Sequence, residues 1–256
     1  MSRRGKRMEV PGLKKILIYE TVGSTNDEAK LLAREGYPEG TLVIAEEQTK
    51  GRGRKGRDWF SVPGKSLTFS LILRPPQSTS LALLCALSWA WALEEKGFHV
   101  LLRWPNDILL GDKKVGGILV ESSFSGDELL CVVVGVGINV NETREDFPPP
   151  LQDKATSLFL TSSCKWQRGE ILGSFLPLFF PAYFAWKERG GDFSPWIEDY
   201  EKRSSLLGKE VVVRWGERTV KGVARGVKED GSLVLANFEG ETLISWGEAT
   251  LHEDER

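Results

Sequence analysis

The chain has 256 residues, 41% hydrophobic and 27% charged, with a formal net charge of -2. This is ordinary globular usage with enough length for a sizeable core, in one large domain or a large and a small one. A near-neutral chain lacks the broad basic footprint of a nucleic-acid binder, so any basic cluster in it is a local device.

A basic tail opens the chain over residues 1–15. "KILIYETVG" from Lys15 then reads as a strand, and "STNDEAKLLAREG" as a helix, with Thr25 and Glu28 at capping-box spacing and Gly36 at its end. "TLVIAEEQ" and "SLTFSLILR" are strand-like, separated by the loop "GRGRKGRDW" at Gly51 to Trp59. "SLALLCALSWAWALEEKG" has the length and apolar spacing of a buried helix ending at Gly97. "HVLLRWPNDILL", "VGGILVESSF" and "LLCVVVGVGINV" follow as consecutive antiparallel strands joined by the turn sequences "GDKK" and "SGDE". Gly169 to Gly190 is helical and aromatic, with Pro177 and Pro181 expected to break or kink it. "FSPWIEDYEKRSSLLG" reads as the last helix. Beyond a boundary near Leu206, "KEVVVRW", "RTVKGVARGV", "SLVLANF" and "ETLISW" are short strands of the kind that build a small SH3-like barrel.

Cys85, Cys131 and Cys164 are too scattered for a disulfide framework or a metal site and fit a reducing cytoplasm. The basic N-terminus leads into no apolar segment, and no run of eighteen apolar residues occurs, so a soluble, unexported protein is expected.

"GRGRKG" spells the dinucleotide fingerprint G-x-G-x-x-G, but that motif needs a helix to begin within the glycines, and "RDWFSVPGK" offers none. "PGKS" at Pro63 to Ser66 fails as a P-loop because the upstream glycine is replaced by Trp59. What remains is a set of cations, Arg52, Arg54, Lys55 and Arg57, on a glycine-rich backbone able to close around a triphosphate or pyrophosphate. A solvated flexible loop, or a single-stranded nucleic-acid patch stacking bases on Trp59 and Phe60, would give the same local sequence. Asn106 and Asp107 in "RWPND" could orient a hard cation such as Mg²⁺, or simply form a turn. Gly116 and Gly117, then Gly135 and Gly137 ahead of Asn139, place glycines inside two apolar strands. The pattern suggests a ligand lying on one sheet face with Lys114 at its rim.

The ordered set "STN" (Ser24 to Asn26), "EEQTKGRGRKGRDW", "RWPND", "KKVGGILVE", "GVGINVN" and "ATSL" (Ala155 to Leu158) resembles the biotin protein ligases, the biotin-[acetyl-CoA-carboxylase] ligases, over roughly residues 16 to 250. The resemblance implies an α+β fold: a mixed, largely antiparallel sheet flanked by helices over 16–206, then an SH3-like β-barrel over 207–256. It implies activation of biotin by Mg-ATP to biotinyl-5'-AMP and transfer to a lysine of a biotin carboxyl carrier domain. Ser24, Thr25, Asn26 and Gln48 would meet the ureido end of biotin, and Gly116 and Gly117 would clear space for its ring and chain. Arg52, Gly53 and Arg54 would close over the carboxylate and phosphates, with Arg52 and Lys114 catalytic. Arg57, Trp59, Asn106 and Asn139 would hold the nucleotide, and Asp107 the metal-bound phosphates. Too few residues precede the first strand for a DNA-binding module, so the monofunctional class is expected, with no DNA or membrane partner. The fold admits a homodimer paired through an exposed sheet edge.

Lys50 in the loop and the prolines before the barrel depart from the family pattern. Neither histidine falls in a matching motif, and His252 reads as solvent-facing. Two rivals remain: a lipoate or octanoate ligase of the same fold, and a non-enzymatic nucleic-acid module.

Overall fold

The computed structural model describes residues 10–215, 218–238 and 240–251. Residues 1–9 of the basic tail and His252 lie outside them. β1 (Lys15–Val22), α1 (Thr25–Arg34) and β2 (Thr41–Gln48) form a β-α-β unit in which the helix supplies the crossover that parallel pairing of β1 and β2 requires. β3 (Ser66–Leu73) pairs antiparallel to β2. The chain then crosses through α2 (Leu81–Glu94) into a meander of β4 (Val100–Arg103), β5 (Asp107–Leu110), β6 (Lys113–Ser125) and β7 (Glu128–Asn139). Among the described residues the sheet has seven strands in the order β1-β2-β3-β7-β6-β5-β4. "HVLLRWPNDILL" is thus two strands, β4 and β5, folded back on each other at Trp104, Pro105 and Asn106.

The two-residue period of the central strands divides the sheet into an apolar face and a polar one. Leu67, Phe69, Leu71 and Leu73 of β3 and Val132, Val134, Val136 and Ile138 of β7 belong to the main core. They share it with α2 and α4 (Arg168–Glu188), where Trp89 and Phe175 stack at 4.3 Å. The alternate positions, Ser66, Thr68 and Ser70 on β3 and Gly135, Gly137 and Asn139 on β7, are small or polar. They stand in register with Gly117 and Leu119 of β6. The site is built on this second face.

Three local expectations are overridden by tertiary packing. The capping box does not form. Ser24 is the N-cap without a side-chain bond, Thr25 bonds Gln48 instead, and Glu28 accepts from the Tyr19 hydroxyl at 2.8 Å. Pro177 and Pro181 sit inside an unbroken 21-residue α4. Each proline costs about 3 kcal/mol in a helix interior, whereas Phe175, Phe179, Phe180, Tyr183 and Trp186 are all fully buried along α4, each contributing about 2 kcal/mol or more. The aromatic seam therefore outweighs the two missing hydrogen bonds. The last helix is shorter than its sequence suggests: a 3-10 turn at Ser194–Trp196 leads into α5 (Ile197–Glu201) only.

A second, antiparallel sheet follows: β8 (Glu210–Trp215), β9 (Arg218–Val227), β10 (Leu233–Asn237), β11 (Gly240–Ile244) and β12 (Glu248–Leu251), ordered β11-β10-β9-β8-β12. Its form agrees with an SH3-like unit. β12 is a strand that the charged C-terminal sequence concealed. The two sheets share one continuous apolar core that includes Leu206, Val211, Ala224 and Leu235, and they are tied by bonds from Trp104 Nε1 to the Gly231 carbonyl (2.9 Å) and from the Val227 amide to Glu201 (3.0 Å).

Glu39, just before β2, anchors the end of α4. It accepts from Lys187 Nζ at 2.8 and 2.9 Å, from the Tyr183 hydroxyl and from the Arg74 amide at 2.9 Å. Burial pushes this carboxyl up, but the Lys187, Tyr183 and Arg74 donors outweigh it and hold Glu39 below the ordinary carboxylate value. A depressed native value stabilises the fold above the unfolded carboxylate range, and the benefit disappears as pH falls through the native value. Glu39→Gln is therefore expected to cost about 1–2 kcal/mol near neutrality, with the gap to the parent closing in acid. Urea melts across that range check it.

Candidate active site

The polar end of the site lies where α1 begins against β3 and β6. Ser24, Thr25, Asn26 and Ser70 are all buried there. The Thr25 amide and hydroxyl both donate to Gln48 Oε1 (2.8 and 3.0 Å), and Ser70 Oγ lies 2.8 Å from Thr25 Oγ1 and 2.6 Å from Asn26 Oδ1. Asn26 Nδ2 donates to Glu121 Oε2 at 2.7 Å, and Lys30 Nζ to Glu121 Oε1 at 2.6 Å. Buried polar groups persist only when paired, so this network is a pre-arranged set of donors and acceptors.

The glycines of the floor do different jobs. A side chain on Gly135 would begin 2.1 Å from Asn26 Oδ1, and one on Gly137 would begin 2.2 Å from the Trp59 indole. Gly117 also opens towards Trp59 (3.3 Å) and Lys114 (3.1 Å). Gly116 does not clear ligand space by lacking a side chain. Its missing Cβ points to the opposite face, 2.5 Å from Ile138 Cδ1 in the core, because adjacent strand residues face opposite ways.

At the other end Lys114 Nζ pairs with Asp107 Oδ1 at 2.5 Å and lies 5.7 Å from the Trp59 ring centroid. The "ATSL" segment holds the Lys114 backbone. The Lys114 amide donates to the Lys154 carbonyl and the Thr156 amide to the Lys114 carbonyl, both at 2.9 Å. Asn139 Nδ2 reaches the Thr156 carbonyl (2.9 Å), so its amide fastens the same segment to β7. Ser157 caps α3 (Leu158–Ser162), a short helix the sequence did not reveal, by accepting from the Leu160 amide at 3.0 Å. Asn106 exchanges bonds with Ile118, Nδ2 to the carbonyl at 2.8 Å and amide to the Asn106 carbonyl at 3.0 Å, which locks β5 against β6.

The basic loop spans the floor between these ends. It closes at its base through the Trp59 amide and the Gly51 carbonyl (2.9 Å), and at its tip through the Gly53 amide and the Arg57 carbonyl (2.7 Å), where Lys55 and Gly56 adopt positive φ of 57° and 70°. Arg52 turns to the polar end, bonded to Asp27 and 3.7 Å from Glu121. Arg54 turns the other way, to Asn106 Oδ1 (3.3 Å) and the Gly247 carbonyl (3.0 Å). Burial lowers the Arg54 guanidinium below its ordinary value, against the pull of Asp107 and Glu248. Arg57 is placed apart from the floor. It is mostly exposed and pairs with Glu248 of β12 at 2.7 Å. Trp59 lies on Gly117 and Gly137, and its buried Nε1 has no hydrogen-bond partner among the described residues.

Asp107 does not suit a protein-built Mg²⁺ centre. Its carboxylate is already paired with Lys114, the Asn106 amide is committed to Ile118 and Arg54, and no group of three metal-binding side chains stands together among the described residues. A single carboxylate can still reach a Mg²⁺ carried on ATP phosphates, and in the structure Asp107 is the partner of Lys114.

Sequence reasoning missed Ser70, Glu121, Lys30 and Glu142. The signal for Ser70 was present, since Ser66, Thr68 and Ser70 recur at period two in a wholly buried strand, the mark of a polar-lined inner face. Glu142 is buried beside the site, with Ser66 Oγ donating to one oxygen and no partner for Oε2 among the described residues. Its burial raises the carboxyl above the ordinary range. A surface groove of about 370 Å³ elsewhere, lined by Lys96, Phe98, His99 and Trp166, contains none of these residues. On the floor the Trp59 indole occupies the space over Gly117 and Gly137.

The glycine-floored sheet, the buried polar network and most of the cationic loop's surroundings lie in a segment, residues 19–139, that the biotin/lipoate A/B protein ligase family matches. The bifunctional ligase/repressor BirA of Bacillus subtilis is 37% identical over 243 residues, covering 93% of this chain and 74% of the relative. The biotin-[acetyl-CoA-carboxylase] ligase of Paracoccus denitrificans is 31% identical, covering 86% of this chain and 94% of that one. The solved biotin protein ligase from Aquifex aeolicus, in complex with biotin and ATP, superposes with a TM-score of 0.81 at 34% identity, covering 94% and 99% of the two chains. The chain belongs to the biotin protein ligase family and is an enzyme, a ligase.

Proposed function

We propose that the chain activates biotin with ATP and transfers it to a specific lysine of a biotin carboxyl carrier domain of a biotin-dependent carboxylase. The observation that carries this reading is one continuous glycine floor. It joins a buried network of paired amides and hydroxyls, suited to a urea ring, to a cationic end suited to a carboxylate and phosphates.

In the first step a biotin carboxylate oxygen attacks the α-phosphorus of ATP. The bond from that phosphorus to the bridging oxygen of the β-phosphate breaks, and pyrophosphate leaves. Negative charge gathers on the equatorial oxygens, where Lys114 and Arg54 are placed to offset it, and Arg52 is poised to leave Asp27 for the biotin carboxylate. In the second step the neutral amine of a carrier lysine attacks the acyl carbon, the C–O bond to the phosphate breaks, AMP leaves, and the amine proton passes to solvent. Trp59 covers the adenylate, and its unpaired Nε1 suits an oxygen of the nucleotide. Closure of the 51–59 loop shields the mixed anhydride from water. Mg²⁺ enters on the ATP phosphates as part of the substrate.

The same proposal assigns residues 16–206 to catalysis and 207–256 to an SH3-like unit, on the support of one sheet in each. It places the enzyme in a reducing compartment, the cytoplasm, in keeping with free Cys85, Cys131 and Cys164. No helix among the described residues is long and apolar enough to cross a membrane. Among the described residues β1 is an edge strand, and with Ile16 and Ile18 exposed it supports the pairing of two copies.

Pyrophosphate release with ATP and either biotin or lipoate tests the reading. Release with biotin and not lipoate is the expected result, and release with lipoate alone would overturn it.

A further inference from the structure

Glu121 is not part of the biotin and nucleotide contacts set out above, yet it stands at the junction of three of their elements. On β6 its carboxylate meets Asn26 Nδ2 at 2.7 Å, Lys30 Nζ at 2.6 Å and Arg52 Nη2 at 3.7 Å. Burial pushes Glu121 up, but the Lys30 and Asn26 donors outweigh it and hold the carboxyl below its ordinary value, so at neutral pH it is ionised and can only accept hydrogen bonds.

The Asn26 amide is therefore not free to turn. The second group beside Nδ2 is the Leu119 carbonyl at 3.3 Å, also only an acceptor. Two acceptors on one side require the NH₂ there and leave the oxygen on the other side, against the Ser70 hydroxyl and directly over the Gly135 backbone. A protonated or amide group at position 121 would remove this constraint, because it could donate to a flipped Asn26 oxygen. The Lys30 ammonium secures the ionised form, and Arg52 of the loop shares the same counter-charge.

We propose that Glu121, held by Lys30, is a positioning residue that fixes the Asn26 amide so that the buried pocket presents a hydrogen-bond acceptor over Gly135 to an N–H of the cyclic urea of biotin. The inference rests on the reading of this pocket as the biotin ureido site. It concerns binding of one substrate, so its effect belongs in the biotin KM rather than in the chemical step or the nucleotide KM.

The test is steady-state pyrophosphate release by the full chain, varying biotin and ATP separately, for the parent, Glu121→Gln and Lys30→Met. Glu121→Gln keeps the shape and removes the fixed acceptor. It is expected to raise the biotin KM about ten- to one-hundred-fold, with kcat at saturating biotin and the ATP KM each within about two-fold. Lys30→Met is expected to move the biotin KM the same way by less, and it serves as the test if Glu121→Gln does not fold. Thermal midpoints measured beside the kinetics separate positioning from general loosening. The proposal is overturned if the biotin KM of both folded variants stays at the parent value, or if biotin and ATP KM rise together with a fall in midpoint. Absence of biotin-dependent release by the parent would instead remove the ureido reading itself, and the positioning role with it.

Discussion

Lys114→Ala is expected to slow biotin adenylation by about 10²–10³-fold, with a thermal midpoint close to that of the parent. The two halves of the expectation have separate physical grounds. The ammonium is a donor aimed at the place where charge is proposed to develop on the α-phosphate, and removing one such preorganised donor typically costs that much rate. The fold does not depend on it, because the side chain is about a third exposed and the β6 backbone at this point is held by main-chain bonds to Lys154 and Thr156. The Asp107 carboxylate that the variant leaves behind is itself partly exposed, so water replaces the lost partner at small cost. Arginine is a poor substitute here. Its guanidinium fork is larger than the point charge that fits between Asp107 and Gly117, and Lys114→Arg is expected to recover little. Single-turnover formation of the adenylate measures the effect directly, and turnover at the parent rate would remove Lys114 from the mechanism.

How much of this is legible in the sequence depends on whether the signal is local. The strands are, because their period-two patterns and turn sequences are local, and β2 starts and stops at the residues its sequence proposed, Thr41 and Gln48. The paired glycines suggested a floor on one sheet face, and Gly117, Gly135 and Gly137 do share one face. They could not say which glycine faced which side, since that is set by the register of β6 against β7 and by the bulge in its pairing with β5, and so Gly116 was assigned to the wrong face. Pro177 and Pro181 misled for the converse reason: a local rule predicted a break, and the seam of buried aromatics along α4 overrode it. A carboxylate after a turn is ambiguous alone, so the pairing of Asp107 with Lys114 was not legible: Lys114 is seven residues away in sequence and reaches it through the β5–β6 hairpin. Glu121 and Lys30 are silent because a single charge in a strand or helix carries no pattern, whereas Ser70 is legible in the period-two Ser66, Thr68 and Ser70 of β3. Their meaning arises from three elements meeting at Asn26.

Three alanine substitutions on one floor should therefore have three different signatures, and Gly135→Ala should be the most damaging to biotin. The new methyl would begin 2.1 Å from Asn26 Oδ1 and 2.8 Å from its Cγ, inside any real contact. Asn26 cannot yield cheaply, being tied to Glu121, the Leu119 carbonyl and Ser70. Either the amide is expelled and its partners are left unpaired in a buried site, or β7 shifts, and both routes cost about 1–3 kcal/mol. Affinity for biotin is expected to fall by about ten- to one-hundred-fold, since the displaced group is the proposed acceptor of the ureido ring. Gly137→Ala presses instead on the Trp59 indole at 2.2 Å. That ring belongs to a surface loop which can lift, so stability should hardly change while the ATP KM rises. Gly116→Ala meets Ile138 on the core face at 2.5 Å and should lower the thermal midpoint without a selective effect on either substrate. Equilibrium titration with biotin, ATP kinetics and a thermal melt on each variant resolve the three. If Gly135→Ala bound biotin as the parent does, the buried end of the floor would have to be given to some other part of the substrate.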